Sequence, residues 1–249
     1  MRNQKLNSIL LEIVRRKRLD VVKKRTNSSF KKIFSKNKKI VLIAEVKLSS
    51  PTNDDLGSRE DLLNRVQQYE QAGADAVSII TEKYFFKGDL TFISQVKQQV
   101  NIPVLQKDFV IDSYQIYEAK LIGSDAILLI ARLVDKKILK DFVAIAHEIG
   151  IEPIVEINNE EDLKKALDSA ASFIAVNARD LRTFNIDIDK ACAMLKKIPE
   201  KFIKLGFSGI QTSQQVKKYK NAGARGVLIG TSLMKAANIK DFINDLRNI

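Results

Sequence analysis

The chain has 249 residues, enough for one large α/β domain and more than most single sandwiches or helix bundles contain. The single cysteine, Cys192, excludes an internal disulfide and a cysteine-cluster metal site, and the single histidine, His147, excludes a histidine-rich zinc site. No apolar run approaches the roughly 18 residues that are needed to cross a bilayer. We therefore expect a cytoplasmic protein without membrane association.

The formal net charge of +12 is concentrated at the amino terminus. Residues 1–40 contain 14 Lys+Arg and 2 Asp+Glu, so the rest of the chain contains 28 of each sign. Such an excess often indicates nucleic-acid binding. Because the rest of the chain is balanced, and the basic segment has only Phe30 and Phe34 for base stacking, we expect no nucleic-acid partner.

From about residue 40, short apolar runs alternate with longer segments of helical periodicity. The apolar runs predict eight strands, at 40–46, 76–80, 103–107, 125–130, 152–157, 173–177, 202–206 and 226–230. The periodic segments predict helices at 60–73, 111–122, 134–149, 159–169 and 211–222. A glycine that ends a helix just before a strand recurs at Gly73, Gly123 and Gly223, which is typical of repeated βα units.

Strict alternation of helices with strands that are apolar on both faces predicts a parallel sheet covered by helices. Eight such units in this length favour a closed (β/α)8 TIM barrel over an open sheet. We therefore assign residues 41–249 to one barrel domain. The basic segment 1–40 is expected to form a helical extension that packs on the barrel through apolar residues such as Ile9 and Ile13.

Polar side chains stand at the carboxyl ends of the predicted strands, where barrels of this class place their active sites. Glu45 and Lys47 share one face of the first strand, and Lys107, Glu156 and Asn177 end the third, fifth and sixth. This set has the chemistry of acid–base catalysis without a metal. A desolvated lysine has a lowered pKa and can donate a proton, and a glutamate in an apolar setting has a raised pKa and can do the complementary work.

Two short sequences of small residues follow the last two predicted strands. Ser208-Gly209 follows the seventh strand, and Gly230-Thr231 stands in the same place at the end of the eighth, where the loop begins. Small residues let backbone N–H groups approach an anion closely, and barrels often hold phosphate on these two loops. Together the two sequences predict a phosphorylated small-molecule substrate.

These residues lie in segments that resemble the indole-3-glycerol phosphate synthase family, a family of tryptophan biosynthesis. The resemblance runs in order through nearly the whole chain and includes the basic segment 9–25. The segments that carry it are IAEVKLSSP (43–51), TEKYFFKGD (81–89), LQKDFVIDSYQIYEAK (105–120), DAILLIARL (125–133), EPIVEINNEEDL (152–163), VNARDLRTF (176–184), SGI (208–210) and LIGTSLMKA (228–236).

The resemblance implies a (β/α)8 barrel whose amino-terminal extension helps to cover the catalytic face. It implies a carbon–carbon lyase that acts as a monomer and needs no cofactor. The substrate would be 1-(o-carboxyphenylamino)-1-deoxyribulose 5-phosphate. Ring closure, loss of CO2 and loss of water would convert it to indole-3-glycerol phosphate.

The resemblance also implies a role for each site residue. Lys107 matches the general acid that protonates the ribulose carbonyl, and Lys47 matches the lysine that pairs with the substrate carboxylate and donates a later proton. Glu156 matches the acid/base of closure or dehydration, whereas Glu45 and Asn177 match positioning residues. The substrate-binding set is Ser50, Phe86, Phe109, Leu128, Arg179, Ser208, Gly209, Ile229, Gly230 and Thr231. In this set the two phenylalanines and the leucine match residues around the anthranilate ring, and Ser50 and the glycines and threonine match the phosphate site.

The chain departs from the family pattern in three places. Phe207 stands where a glutamate usually precedes Ser-Gly-Ile, and Leu48 stands where a basic residue is common. The loop after Pro51 lacks the usual Lys-Gly pair. Because the five expected catalytic residues are present, we expect the reaction to run with a slower dehydration step.

Two other functions stay open on the sequence alone. One is phosphoribosylanthranilate isomerase, which shares the phosphate loops but normally uses a Cys/Asp pair, whereas Cys192 lies in a late helical segment. The other is a barrel with impaired activity that binds RNA or an acidic partner through residues 1–40. Arg179 and Asp180 could equally form a structural salt bridge.

Overall fold

The computed structural model describes residues 29–36, 39–51, 56–180 and 182–249. The strands are β1 (Val41–Val46), β2 (Ala76–Ile80), β3 (Val104–Lys107), β4 (Ala126–Ile130), β5 (Glu152–Ile157), β6 (Phe173–Asn177), β7 (Ile203–Phe207) and β8 (Gly226–Ile229). The helices are α1 (Ser29–Lys36), α2 (Arg59–Gln71), α3 (Thr91–Lys97), α4 (Ser113–Leu121), α5 (Lys136–Ile149), α6 (Glu160–Asp168), α7 (Ile188–Lys197), α8 (Ser213–Asn221), α9 (Thr231–Met234) and α10 (Ile239–Arg247). A short 3-10 turn, Ala131–Leu133, follows β4.

The eight strands form a closed parallel barrel in sequence order, with β8 paired to β1. The predicted (β/α)8 barrel is therefore confirmed. Because all strands run the same way, their carboxyl ends meet at one rim of the barrel. Along β1, Val41 and Ile43 belong to the core inside the barrel, whereas Leu42 and Ala44 belong to the core under the helices. This alternation directs Glu45 into the barrel at its carboxyl end.

The repeated glycine turns adopt the conformation that their sequence pattern predicts. Gly73, Gly123 and Gly223 have φ values of +93°, +97° and +93°. This left-handed region is readily adopted only by glycine, and it turns the chain from each helix into the next strand.

The predicted and observed bounds of strand β7 differ by one residue. The predicted strand ended at Gly206, but the observed strand continues through Phe207. Gly206 is required there because a Cβ at this position would overlap the ring of Tyr219 on α8. The glycine is thus a packing residue within the strand and not its end.

The structure contains several helices that the sequence pattern did not predict. Helix α3 begins after Leu90, whose side chain makes no cap hydrogen bond; the polar contact comes from Asp89, one residue earlier, whose Oδ1 accepts the Thr91 backbone N–H at 2.8 Å. Helix α9 has only four residues. Helix α10 does have a capping residue, Asn238, whose side chain accepts a hydrogen bond from Asp241 N–H.

Helix α1 closes the end of the barrel that lies opposite the catalytic rim. Phe30 and Phe34 are buried with ring centroids 5.8 and 5.0 Å from that of Phe173 at the start of β6. Arg225, just before β8, donates a hydrogen bond to the Phe34 carbonyl at 2.6 Å. Residues 1–28 lie outside the described residues, so the expectation that the extension covers the catalytic face stays a prediction. Within the described part of the chain, no helix has the length and apolar character required to span a membrane.

Candidate active site

A cavity of about 490 Å³ opens at the carboxyl ends of the strands. Every site residue named from the sequence contributes to its wall. These residues are Glu45, Lys47, Ser50, Phe86, Lys107, Phe109, Leu128, Glu156, Asn177, Arg179, Ser208, Gly209, Ile229, Gly230 and Thr231. The structure therefore brings residues from positions 45 to 231 of the chain to one place, although their individual roles stay predictions.

A buried carboxylate lies between two lysines in this cavity. Lys47 Nζ is 3.0 Å from Glu45 Oε1, and Lys107 Nζ is 3.8 Å from Glu45 Oε2. Burial alone would raise the pKa of Glu45, but the charges of Lys47 and Lys107, with a further effect of Arg179, hold its pKa below the usual value. For this glutamate the expectation of a raised pKa was wrong, because two ammonium groups outweigh desolvation. Glu45 is therefore a charged partner that holds both lysines.

The backbone at Gly230 forms one wall of this ion cluster. A Cβ at Gly230 would overlap Glu45 Oε1 and would lie 3.3 Å from Lys47 Nζ. The Glu45 carboxylate occupies the space that a Cβ would need, so position 230 requires glycine for reasons of space. The loop after β8 thus packs closely against the Glu45 carboxylate.

A series of hydrogen bonds between polar side chains connects the carboxyl ends of β5, β6 and β7. Asn177 Nδ2 donates to Glu156 Oε1 at 3.0 Å, and Ser208 Oγ donates to Asn177 Oδ1 at 2.8 Å. The other oxygen of Glu156, Oε2, is buried and accepts no hydrogen bond from any residue that the structure describes. A buried carboxylate oxygen without a partner is costly, so this atom is the natural acceptor for a group of the substrate.

The loops after β7 and β8 are fixed to each other. Ser208 and Gly209 both have positive φ, +71° and +80°, which turns the chain sharply at the rim. Tyr219 on α8 donates to the Ser208 carbonyl at 2.9 Å, and Ser232 Oγ donates to the Ile210 carbonyl at 2.6 Å. Two tethered small-residue loops thus line the cavity, and loops of this kind can supply the backbone N–H groups that an anion site requires.

Apolar side chains also line the cavity. The ring centroids of Phe86 and Phe109 lie 6.3 Å apart, and Leu128 is fully buried. The Glu82 carboxylate accepts the Tyr84 and Phe85 backbone N–H groups, each at 2.8 Å, and so folds the loop that carries Phe86. This arrangement suits a flat aromatic group.

Arg179 lies at the edge of the cavity and is tied to its own loop. Its Nη1 donates to the Phe184 carbonyl at 3.2 Å. The structural salt bridge that we considered between Arg179 and Asp180 is not the contact observed. Asp180 Oδ1 lies 3.9 Å from Arg182 Nε and accepts the Arg182 backbone N–H at 2.8 Å.

The cavity also contains residues that sequence reasoning missed. Lys235, one helical turn after Thr231, adds a cation near the phosphate loops. Phe184 and Ile186, from the loop after β6, and Phe242, on α10, add apolar wall. Lys235 and Phe184 lie within segments that carry the resemblance, LIGTSLMKA and VNARDLRTF, whereas Ile186 and Phe242 lie outside all of them. The phenylalanines and the isoleucine carry no chemical signal that separates them from core residues.

The comparisons with known proteins agree with this geometry. Residues 3–246 match the family model described as "Indole-3-glycerol phosphate synthase". This chain belongs to the indole-3-glycerol phosphate synthase family. The indole-3-glycerol phosphate synthase of Caldanaerobacter subterraneus subsp. tengcongensis is 40% identical over 254 residues, covering 96% of this chain and 99% of the relative. That of Aliarcobacter butzleri is 38% identical over 251 residues, covering 100% and 93%.

Family membership confirms the prediction of a lyase of tryptophan biosynthesis. It decides against the alternative of a phosphoribosylanthranilate isomerase, and Cys192 lies on α7, where it packs against the core under the helices. The alternative of an acidic or RNA partner depends mainly on residues 1–28, outside the described residues, and stays untested.

Solved structures share the fold at low sequence identity. A 3-hexulose-6-phosphate synthase superposes with a TM-score of 0.68 at 16% identity, covering 84% of this chain and 98% of that one. A thiamine phosphate pyrophosphorylase from Pyrococcus furiosus gives a TM-score of 0.61 at 12% identity, covering 84% and 94%. At these identities the likeness supports the barrel fold alone.

Proposed function

We propose that the cavity converts 1-(o-carboxyphenylamino)-1-deoxyribulose 5-phosphate to indole-3-glycerol phosphate through the residues assigned from the sequence. One observation carries the proposal: Lys47 and Lys107 share the buried carboxylate of Glu45 in the cavity that also contains the free oxygen of Glu156. Two cations and one unpartnered carboxylate oxygen suit a reaction that protonates one oxygen, stabilises a carboxylate and removes a proton.

Ring closure needs a proton donor at the ribulose carbonyl. The aromatic ring carbon attacks that carbonyl carbon, and the oxygen takes a proton as the carbon–carbon bond forms. Lys107 is the donor in this proposal, because its Nζ is 3.8 Å from Glu45 and is held less tightly than Lys47 at 3.0 Å. A positioned general acid of this kind contributes about 100- to 10,000-fold in rate.

The later steps use the other two groups. Lys47 pairs with the substrate carboxylate, which leaves as CO2 when its carbon–carbon bond breaks and its electrons return to the ring system. Lys47 then donates a proton to the hydroxyl that departs as water. Glu156 accepts the proton that must leave for the pyrrole ring to become aromatic, at its free Oε2, while Asn177 fixes Oε1.

Different parts of the cavity wall bind the phosphate and the anthranilate ring of the substrate. The loops at Ser208-Gly209 and Gly230-Thr231 hold the phosphate, and Ser50 and Lys235 stand at the same rim. Phe86, Phe109 and Leu128 hold the anthranilate ring. Phe207 places an apolar wall beside Asn177, its neighbour across β6 and β7, so Glu156 carries the proton transfers on that side of the cavity.

The proposal includes a monomer acting in the cytoplasm without a cofactor. A phosphorylated intermediate is charged and is retained inside the cell, which is consistent with a cytoplasmic enzyme.

The test is to incubate the protein with the proposed substrate and to follow the appearance of indole fluorescence. We expect turnover, and a Glu156→Gln variant of unchanged melting temperature should lose most of it. Arg247→Ala, which breaks an ion pair with Asp75 at the opposite end of the barrel, is the matched control and should retain turnover. A correctly folded wild-type protein that forms no product would overturn the proposal.

A further inference from the structure

A partly buried ion pair lies between the loops after β4 and β5. Arg132 Nη2 is 3.1 Å from Asp162 Oδ2, and Asp162 is buried in the first turn of α6. The same oxygen accepts the backbone N–H of Asn158 at 3.0 Å. Asn158 follows β5 directly, two residues after Glu156. The ion pair therefore fixes the backbone from which the Asn158 side chain projects.

The Asn158 amide joins this loop to the end of β6. Its Nδ2 donates to the Asn177 carbonyl at 2.8 Å and to the Arg179 carbonyl at 3.3 Å. These two carbonyls flank Ala178, so one amide group holds the backbone on both sides of it. The Arg179 backbone N–H in turn donates to Asn177 Oδ1 at 3.0 Å, which orients the Asn177 side chain.

A continuous series of contacts thus runs from Arg132 to Glu156. Asp162, Asn158 and Asn177 connect them, and the final contact is the 3.0 Å hydrogen bond from Asn177 Nδ2 to Glu156 Oε1. Position 158 requires an amide because both partners of its side chain are backbone carbonyl oxygens, which only accept hydrogen bonds. A carboxylate has no N–H group to donate and would repel them. The side chains of Arg132, Asn158 and Asp162 are not among those lining the cavity.

We propose that Asn158, oriented by the Arg132–Asp162 pair, is a positioning residue for the Asn177–Glu156 pair, an inference that rests on the proposed function. Without its amide, the Asn177 backbone loses its fixed donor and Glu156 loses its defined orientation. Ser208 also contacts Asn177, but its loop is held in addition by Tyr219 and, through Ile210, by Ser232. The loop that carries Phe86 is held by Glu82. The larger effect therefore falls on the chemical steps and the smaller on substrate binding.

The first readout is the division of the effect between kcat and KM. Asn158→Ala should lower kcat by about 10- to 100-fold, the loss typical of a catalytic group displaced by about 1 Å, and should leave KM within about twofold. Arg247→Ala is the matched control, because the Arg247–Asp75 pair is also partly buried, at 2.8 Å, but lies at the opposite end of the barrel. Its loss should lower the melting temperature and leave kcat unchanged.

The decisive readout is a double-mutant cycle with Asn177→Ala. If Asn158 acts through Asn177, Asn158→Ala should cause no further loss of kcat in the Asn177→Ala background. Losses that multiply in the double variant, or an unchanged kcat in Asn158→Ala, would overturn the inference. If Asn158→Ala does not fold, the same-sized Asn158→Asp replaces it, with the same expected pattern. An inactive wild-type chain would overturn the proposed function as well, whereas an active wild type with multiplying losses would overturn only this inference.

Discussion

Substitution of Gly230 by alanine tests the packing of the ion cluster most severely. An alanine Cβ would overlap Glu45 Oε1, whereas ordinary contact begins near 3.4 Å. The carboxylate must retreat by a distance on the order of 1 Å, because the Cβ belongs to the backbone of a short, tethered loop.

The expected cost follows from the contact that is lost. Glu45 and Lys47 lie 3.0 Å apart, and a hydrogen bond between charged groups is worth about 1.5–3 kcal/mol. If that amount is lost from the transition state, Gly230→Ala should lower kcat by about 10- to 150-fold. The assay is steady-state indole fluorescence with varied substrate. A loss confined to KM would instead indicate that Gly230 serves only the phosphate.

Glu45→Gln provides the comparison that can refute this reasoning. It retains the shape of the side chain but removes the charge that holds Lys47 and Lys107. Because both variants disturb the same carboxylate, the Gly230→Ala/Glu45→Gln double variant should be little worse than Glu45→Gln alone. A Gly230→Ala enzyme with wild-type kcat, or effects that multiply in the double variant, would show that the two residues act separately.

Three further predictions concern other parts of the barrel. Phe207→Glu should raise kcat in the same fluorescence assay, because the resemblance places a proton-transferring glutamate there. Phe207→Gln is its uncharged control, and an equal gain in both variants would contradict the reasoning. Phe34→Ala should lower the free energy of unfolding by about 3–5 kcal/mol in urea with kcat unchanged, because Phe34 packs on Phe173 at the far end of the barrel; a loss below about 1 kcal/mol would contradict the role of α1 as part of the core. Burial lowers the pKa of His147, with a smaller effect of Lys31, so the unfolded chain binds the proton more readily and stability should fall as pH drops below about 6.5. His147→Gln should reduce that dependence in urea titrations between about pH 5 and 7.5, and an unchanged slope would contradict it.

The barrel could be predicted from the sequence because each repeat carries its own signal. β-rich runs, glycine turns such as Gly73 and polar residues at strand ends recur with one period, and a closed parallel sheet satisfies all of them. Strand β7 was misplaced by one residue because Gly206 resembles a strand end when its neighbour Tyr219 is not known.

Those features of the site that depend on residues close together in the sequence could be predicted. Glu45 and Lys47 are two residues apart on one strand, so their common face follows from strand periodicity. The lowered pKa of Glu45 was not predictable, because it depends on Lys107 from a strand that is 62 residues away. The contacts of Asn158 with Asn177 and Arg179 likewise join loops that only the folded barrel brings together.

Lys107 is the proposed proton donor of ring closure, and one comparison of rates tests that assignment most directly. Lys107→Met keeps the length of the side chain and leaves Glu45 paired with Lys47, so the variant should fold with little change in stability. In the fluorescence assay its kcat should fall by at least about 100-fold relative to wild type. A folded Lys107→Met protein that retains most of the wild-type kcat would contradict the central assignment.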